Sequence, residues 1–485
     1  MSRAAVAVTL FAVAMAVTVA LGVASGRGRV KSLAEWSISG RGLGTLFVLL
    51  LMAGETYTSF SFLGAAGWSY RYGVPIFYLI AYLSTGLVVA YFVAPLLWTY
   101  CARHRLVSIA DIAEHRFGSR TLGVVVAVLA TVFLIPYVQL QIQGMGVVVQ
   151  AMSYGAVDLR VAAIVSFLVA ETFVLVSGLR GAAWVSVLKD GLAVGAVVFL
   201  AIWVPWHYFD GPGELLNRLV AERPQWLTFP GAGDGTFGTR WYVSTIVLNA
   251  ATICIFPTTV AGYLAAANPT ALRRNSILLP WYQLLLVVPI LIGAAALFVF
   301  PALGNSDLAL YELVTDSLPA PLVALIGIAG ALSAIVPMSV FLVAIGTLWG
   351  RTILGGGVAG AGRQRSWSRV VCVVVGAIAL AGALLYPRAL VNLSVLSYEG
   401  IAQLLPAVLL GLYWRRLTAI GVAAGLVVGG AIVFGLHAMG RDPLFGVNGG
   451  LVALGVNVLV ASAVSLLPRR TRTIRIDIAL PQPVR

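Results

Sequence analysis

Charge is scarce in this chain: Asp, Glu, Lys and Arg make up 10% of its 485 residues, against roughly a quarter in soluble domains. Hydrophobic residues make up 60%. A water-soluble globule of this size could not bury that much apolar surface, so the solvent for most of the chain is lipid. Cysteine is also sparse. Cys101, Cys254 and Cys372 are too few and too scattered for a disulfide framework, a zinc site or an iron–sulfur cluster. The four histidines, His104, His115, His207 and His437, show no ligand spacing. No nucleophile–base constellation stands out, which argues against an enzyme, and no symmetric filter sequence argues for a channel. The formal charge is +14, yet the basic residues are not gathered on one domain or arm, which removes nucleic acid as a partner.

What the chain has instead is length of apolar run. Such stretches fall at about 5–25, 44–68, 74–100, 120–153, 157–176, 181–207, 240–262, 276–300, 319–350, 367–386, 391–411, 417–437 and 447–467, each near or above the roughly 20 residues that cross a bilayer as helix. The sequence thus predicts an all-α, polytopic membrane protein of 13 transmembrane helices, with residues 1–485 as one membrane domain. The first run follows Arg3 but precedes Arg27, Arg29 and Lys31 and lacks a cleavage site, so it reads as a retained helix and not a signal peptide.

Basic residues then fix an expected orientation. With the N-terminus outside, the cytoplasmic segments hold all of the 31 except Arg3, Arg71, Arg160, Arg218, Arg223, Arg240, Arg388 and Arg441; Arg180 and Lys189 are counted together at one cytoplasmic turn. The acids Asp158, Asp210, Glu214, Glu222, Asp234, Asp307, Glu312, Asp316 and Asp442 fall on the opposite face. An odd number of crossings puts the C-terminal arginine cluster in the cytoplasm of a bacterial cell membrane. Between the third and fourth segments, 104–117 reads as a short amphipathic helix with Ser108 as its cap and Asp111 at N3. The loop at about 208–239 reads as a partly ordered surface cover, and 351–369, with Gly355, Gly356 and Gly357, as a linker.

Two segments are not ordinary membrane helices. The second carries Gly54-Glu55-Thr56-Tyr57-Thr58-Ser59, an acid and a run of hydroxyls in mid-bilayer, costly unless they face protein, water or an ion. Packing by small residues is the plain alternative. The seventh carries Phe256-Pro257-Thr258-Thr259, where Pro257 forces a kink or a break. The two interruptions stand five segments apart, as expected of two inverted repeats of five helices with a central site between broken helices. The first repeat, with its connection to the second, covers 44–262, the second covers 240–437, and the last helix covers 447–467. Glu55, Thr56, Thr58, Ser59, Thr258 and Thr259 are therefore the candidate substrate-binding residues. Gln139 and Gln143, at i and i+4 on the fourth segment, join them as possible hydrogen-bond donors or as interhelical glue. Glu399, in the eleventh segment, reads as a hydrated residue near the outer end.

These runs resemble the solute:sodium symporter family, most of all its bacterial monocarboxylate permeases. The resemblance rests on Gly54 to Thr58 leading to Phe62-Leu63-Gly64, on Pro95-Leu96-Leu97-Trp98, on Asp111 to Gly118, on Pro136 to Gln141, on Ser177 to Trp184 with Asp190, and on Gln403-Leu404-Leu405-Pro406 with Gly411 to Trp414. It implies cation-coupled symport of a small carboxylate by alternating access, without an organic cofactor. It also implies a sodium ion between the Gly54 and Tyr57 carbonyls and the ninth segment, where Ser333 takes the carbonyl position. Val336 and Pro337 stand at the positions of the family's two hydroxyls and carry none; Ser339 is the nearest oxygen to stand in for them. Sodium and the proton both remain as coupling ion, since Glu55 is an intramembrane carboxylate able to carry a proton. Pantothenate, an amino acid or another small solute is the alternative cargo. A transporter-like membrane sensor is the alternative of a different class; it would need a signalling domain, and about 18 residues follow the last helix. Oligomeric state is left open.

Overall fold

The computed structural model describes residues 2–26, 32–232, 235–355 and 361–467. Arg27, Arg29, Lys31, Asp234, Gly356, Gly357 and the arginine cluster after 467 lie outside them. Among the described residues, twelve helices are long and apolar enough to span a membrane, and a thirteenth span is a bent pair. In chain order the spans are Arg3–Gly22, the pair Thr45–Thr56 and Phe60–Tyr72, Val74–His104, Arg120–Met152, Leu159–Val176, Gly178–Tyr208, Thr239–Ala265, Pro269–Val299, Ala320–Ile353, Arg363–Leu385, Leu390–Tyr413, Ala419–Ala438 and Gly449–Leu466. They are numbered first to thirteenth below. Each falls on one of the thirteen runs read from the sequence.

The ninth span is the axis of the bundle: all of its most apolar window is buried, and it packs against the fourth span, the continuous helix of the fifth and sixth, and the first. The first helix contributes Ala7, Phe11 and Met15 to the interior. The outer surface carries Val88, Phe92, Trp281, Phe434 and Leu459, each more than half exposed; an apolar belt of that extent is stable only against lipid. The fifth and sixth spans form one continuous run, Leu159–Tyr208, that hinges at Gly178. There φ is +57°, a value that glycine adopts without a Cβ clash, and a Cβ at that position would stand 2.5 Å from the Trp36 ring.

Local chemistry explains both broken spans. In the second, the Thr56 hydroxyl donates to the Ala53 carbonyl at 2.9 Å and the Ser61 hydroxyl to the Thr56 carbonyl at 2.5 Å. These side chains compete with backbone N–H groups for the helix's own acceptors. Tyr57 leaves the helical region (φ −95°, ψ 78°), and the two halves meet at 52°. In the seventh, Phe256 is extended (φ −55°, ψ 129°) because it precedes proline, and Pro257 opens the second half as its first residue. The start of the second span lies beside the end of the seventh: Leu43 N–H donates to the Ala265 carbonyl at 3.0 Å and Ala267 N–H to the Leu43 carbonyl at 2.9 Å. The two broken spans thus run antiparallel.

The short helix between the third and fourth spans is Ile109–Phe117, and the Ser108 side chain accepts from Asp111 N–H as its cap. The 208–239 loop holds a helix, Pro212–Glu222, and folds over the end of the second span, where Trp226 Nε1 donates to the Tyr70 carbonyl at 3.2 Å and Ala232 N–H to the Tyr72 carbonyl at 3.0 Å.

Candidate functional site

The break in the second span brings Glu55 against the seventh. Its carboxylate accepts the Thr258 hydroxyl and, at 3.2 Å, the Thr259 hydroxyl, at the first turn of the half-helix Pro257–Ala265, where backbone dipoles favour negative charge. Glu55, Thr56, Ser61 and Thr259 form the polar side of a small cavity of about 20 Å³. Its other walls are apolar and mostly aromatic, Phe60, Tyr82, Tyr137, Phe256, Phe341 and Tyr398 beside Leu83 and Ile253, with Tyr82 and Tyr398 joined hydroxyl to hydroxyl at 3.3 Å. A cavity of that size has room for about one water, so the site must enlarge to admit cargo.

Thr58 and Ser59 are buried in the break itself and do not border this cavity. The Thr58 hydroxyl accepts Phe60 N–H at 3.2 Å, and Ser59 N–H donates to Gln141 Oε1 at 3.4 Å. Gln139 and Gln143 face elsewhere. Gln139 Nε2 donates to Gln143 Oε1 at 3.2 Å and to the Tyr386 carbonyl at 3.0 Å. Gln143 borders an open basin of about 390 Å³ where Arg71, Arg160, Arg388 and Asp307 converge from four segments.

The Gly54 and Tyr57 carbonyls meet a cation that belongs to the chain. Lys189, in the sixth span, donates from Nζ to Gly54 O at 2.9 Å and to Tyr57 O at 3.0 Å, and its ammonium lies 3.1 Å from Asp190 Oδ1. The lysine is fully buried. The sequence tally placed it at a cytoplasmic turn; it lies instead inside Gly178–Tyr208. Taking an ammonium out of water costs several kcal/mol, and three acceptors for its three protons offset that cost. A Lys-Asp pair inside an apolar run was the signal available in the sequence, since intramembrane charge marks a functional position by default. Ser333 and Ser339 are also buried in the ninth span, where their hydroxyls donate to their own helix, at Ala329 O (2.9 Å) and Val336 O (2.6 Å).

Glu399 is not hydrated as expected. It is 1% exposed and pairs with His437 at 2.7 Å, with Asp442 close to the same imidazole. On the face of the Ile109–Phe117 helix, Asp111 accepts Arg351 Nε at 2.7 Å and Val107 N–H at 2.9 Å, which ties that helix to the end of the ninth span.

The sequence profile described as "Sodium:solute symporter family" matches residues 36–429. The chain belongs to the sodium:solute symporter family. Among this symporter's relatives, the uncharacterized symporter YhjB of Bacillus subtilis is 34% identical, over 94% of this chain and 96% of that one. A protein named monocarboxylate transport permease in Rhizobium johnstonii is 28% identical, over 90% and 91%. In three dimensions the symporter is similar to a Na+-coupled sialic acid symporter solved in a substrate-bound outward-open state (TM-score 0.80, 16% identity, 97% and 99% coverage), a likeness of fold. It is thus a multi-span membrane transporter of the broken-helix, inverted-repeat type, a cation-coupled symporter by family and not an enzyme.

Proposed function

We propose that this symporter carries a small monocarboxylate such as acetate, propionate, pyruvate or lactate across a bacterial cell membrane by alternating access, with its N-terminus outside. The observation that carries this reading is the basin at the ends of the second, fourth and fifth spans. Three arginines and one aspartate border it, so it concentrates small anions at one mouth of the protein. The paired surface ends of the second and seventh spans support repeats at 44–262 and 240–437. The small, mostly aromatic cavity with hydroxyls on one side suits a short acid that has one polar end and one apolar end.

Glu55, Thr56 and Thr259 are the proposed contacts for the polar end, with Thr258 holding Glu55 in place. Two carboxyl groups that close are tolerated only when they share a proton, so the loaded site requires one between Glu55 and the cargo. Thr58 and Ser59 shape the break, and Gln143 and Gln139 lead from the basin inward.

The test is uptake of labelled acetate, propionate and pyruvate into proteoliposomes under an imposed cation gradient, with the membrane potential clamped and protein-free vesicles measured alongside. Concentrative uptake, competed by unlabelled short acids and not by pantothenate or amino acids, is expected. Equilibration without accumulation rejects symport; competition by pantothenate or an amino acid alone moves the cargo to that class.

A further inference from the structure

Three features converge on the break in the second span. The first is the set of contacts made by Lys189 Nζ. Its three protons meet three acceptors, the Gly54 and Tyr57 carbonyls and Asp190 Oδ1, all between 2.9 and 3.1 Å. The second is Gly54: a Cβ there would stand 3.2 Å from Nζ and 3.1 Å from the Ser186 hydroxyl, so only glycine lets the ammonium seat without displacement. The third is the ninth span, which packs on the second and carries Val336 and Pro337, without side-chain oxygens, at the positions that the family resemblance gives to its two hydroxyl ligands.

A monovalent cation that binds between carbonyls freed by a broken helix needs several oxygens at short range and no second cation beside them. Here the carbonyls are taken by a covalently tethered cation, and the two hydroxyl ligands of the ninth span are replaced by Val336 and Pro337.

We propose that Lys189 is the built-in substitute for a coupling sodium ion: its ammonium fills the Gly54–Tyr57 cradle, the symporter takes no sodium, and the coupling ion is the proton on Nζ, distinct from the proton that Glu55 shares with the cargo. The inference rests on the symport reading above and supplies its coupling ion. In the release step one Nζ–H bond breaks and an Oδ1–H bond forms on Asp190, which converts ammonium and carboxylate to amine and carboxylic acid. The proton then passes from Asp190 to water on the side to which the site has opened. Loss of the ammonium removes the tie between the sixth span and both sides of the break, so protonation and the angle between the two half-helices are linked.

The titratable groups that face this exchange are few. Asp190 comes from the same helix, Tyr57 and Glu55 from the broken span, and Tyr282 from the eighth span, its hydroxyl donating to Asp190 Oδ1 at 3.3 Å. Glu55 turns its carboxylate to Thr258 and Thr259. The ninth-span helix Ala320–Leu348 contains no titratable residue, and the first has none after Arg3. From the fourth span Tyr137 borders the aromatic cavity. Glu171 of the fifth lies beside Gly376, and Cys372 of the tenth donates to the Leu342 carbonyl.

The experiment has two arms. In the first, saturable binding of radioactive sodium to the purified full-length wild type is measured in detergent without cargo; none is expected at millimolar sodium, and saturable binding overturns the proposal. In the second, proteoliposomes are loaded in sodium-free buffer. A proton gradient is expected to drive at least tenfold accumulation of labelled acid, and a sodium gradient alone to change uptake less than twofold. Lys189→Met and Lys189→Arg are both expected to lose the proton-driven accumulation at least tenfold, because the first carries no proton and the second keeps its own, while both still exchange internal for external acid. Accumulation that follows sodium, or wild-type proton-driven uptake by Lys189→Arg, overturns the proposal. If none of the acids moves under either gradient, the cargo reading has failed and the sodium-binding arm still decides the cradle, since it needs neither cargo nor variant.

Discussion

The Glu55 carboxylate and the Thr259 hydroxyl meet at 3.2 Å across the gap between the two broken spans, although 204 positions separate them in the chain. That contact places an acid where two helices stop, at the polar edge of a mostly aromatic cavity. A rearrangement that opens the cavity has to change it.

Replacing this acid is therefore expected to act on transport more than on folding. Glu55→Gln keeps the shape and the bonds to threonine but fixes the proton count. Uptake at equal protein abundance should fall at least tenfold or lose its pH dependence. Near-normal transport at every pH would return Glu55 to a packing role.

The basin arginines act at a distance. Converting Arg71, Arg160 and Arg388 to glutamine removes three positive charges from one mouth, and rim charges govern encounter more than turnover. The apparent KM for an anionic cargo should rise about three- to tenfold at low salt, with the wild-type advantage shrinking as ionic strength screens it. A KM that does not respond to the triple change or to salt would count against an anionic cargo.

Gln139 and Gln143 bridge the fourth span to the carbonyls of Tyr386 and Arg388, the latter at 3.4 Å. If the pair lines the route from basin to cavity, Gln143→Ala and Gln139→Ala each raise apparent KM severalfold, the latter with about 1 kcal/mol of lost stability as well. Unchanged affinity and turnover in both variants would leave them as interhelical glue.

Asp307 sits in the loop between the eighth and ninth spans, 8% exposed. Burial pushes its carboxyl up to about 6, although Leu390 N–H, bonded to Oδ2 at 3.4 Å, pulls it back. The folded protein thus holds this proton over a range, from about 4 to 6, in which the unfolded chain has lost it. Its contribution to stability is complete below the unfolded value and disappears as pH rises through the folded one. Thermal unfolding in detergent should show that slope, and Asp307→Asn should flatten it, being neutral or slightly stabilising at pH 7.

The pair Asp111–Arg351, at 2.7 Å with the acid 6% exposed, anchors the Ile109–Phe117 helix. Arg351→Met leaves a buried carboxylate without its main partner and is expected to cost about 2–4 kcal/mol, read as a drop in the detergent melting temperature. A change under 1 °C would show that the Val107 and Ser108 bonds suffice.

Hydropathy and backbone chemistry made much of this protein legible from its residues alone. A span must satisfy its own backbone in lipid, so every crossing announces itself as an apolar run, and all thirteen runs became spans. Pro257 and the hydroxyls after Gly54 marked both breaks because their effects on the helix are local. Ser108 was readable as a cap for the same reason. Lys189 was only half legible: a charge inside an apolar run marked it, but what defines it are carbonyls 135 and 132 positions away. Glu399 likewise took its partner, His437, from the next span. Only tertiary structure decides which distant acceptors surround a buried charge, because in a low-dielectric interior that pairing, and not the local sequence, sets whether the charge is tolerated and what it can do.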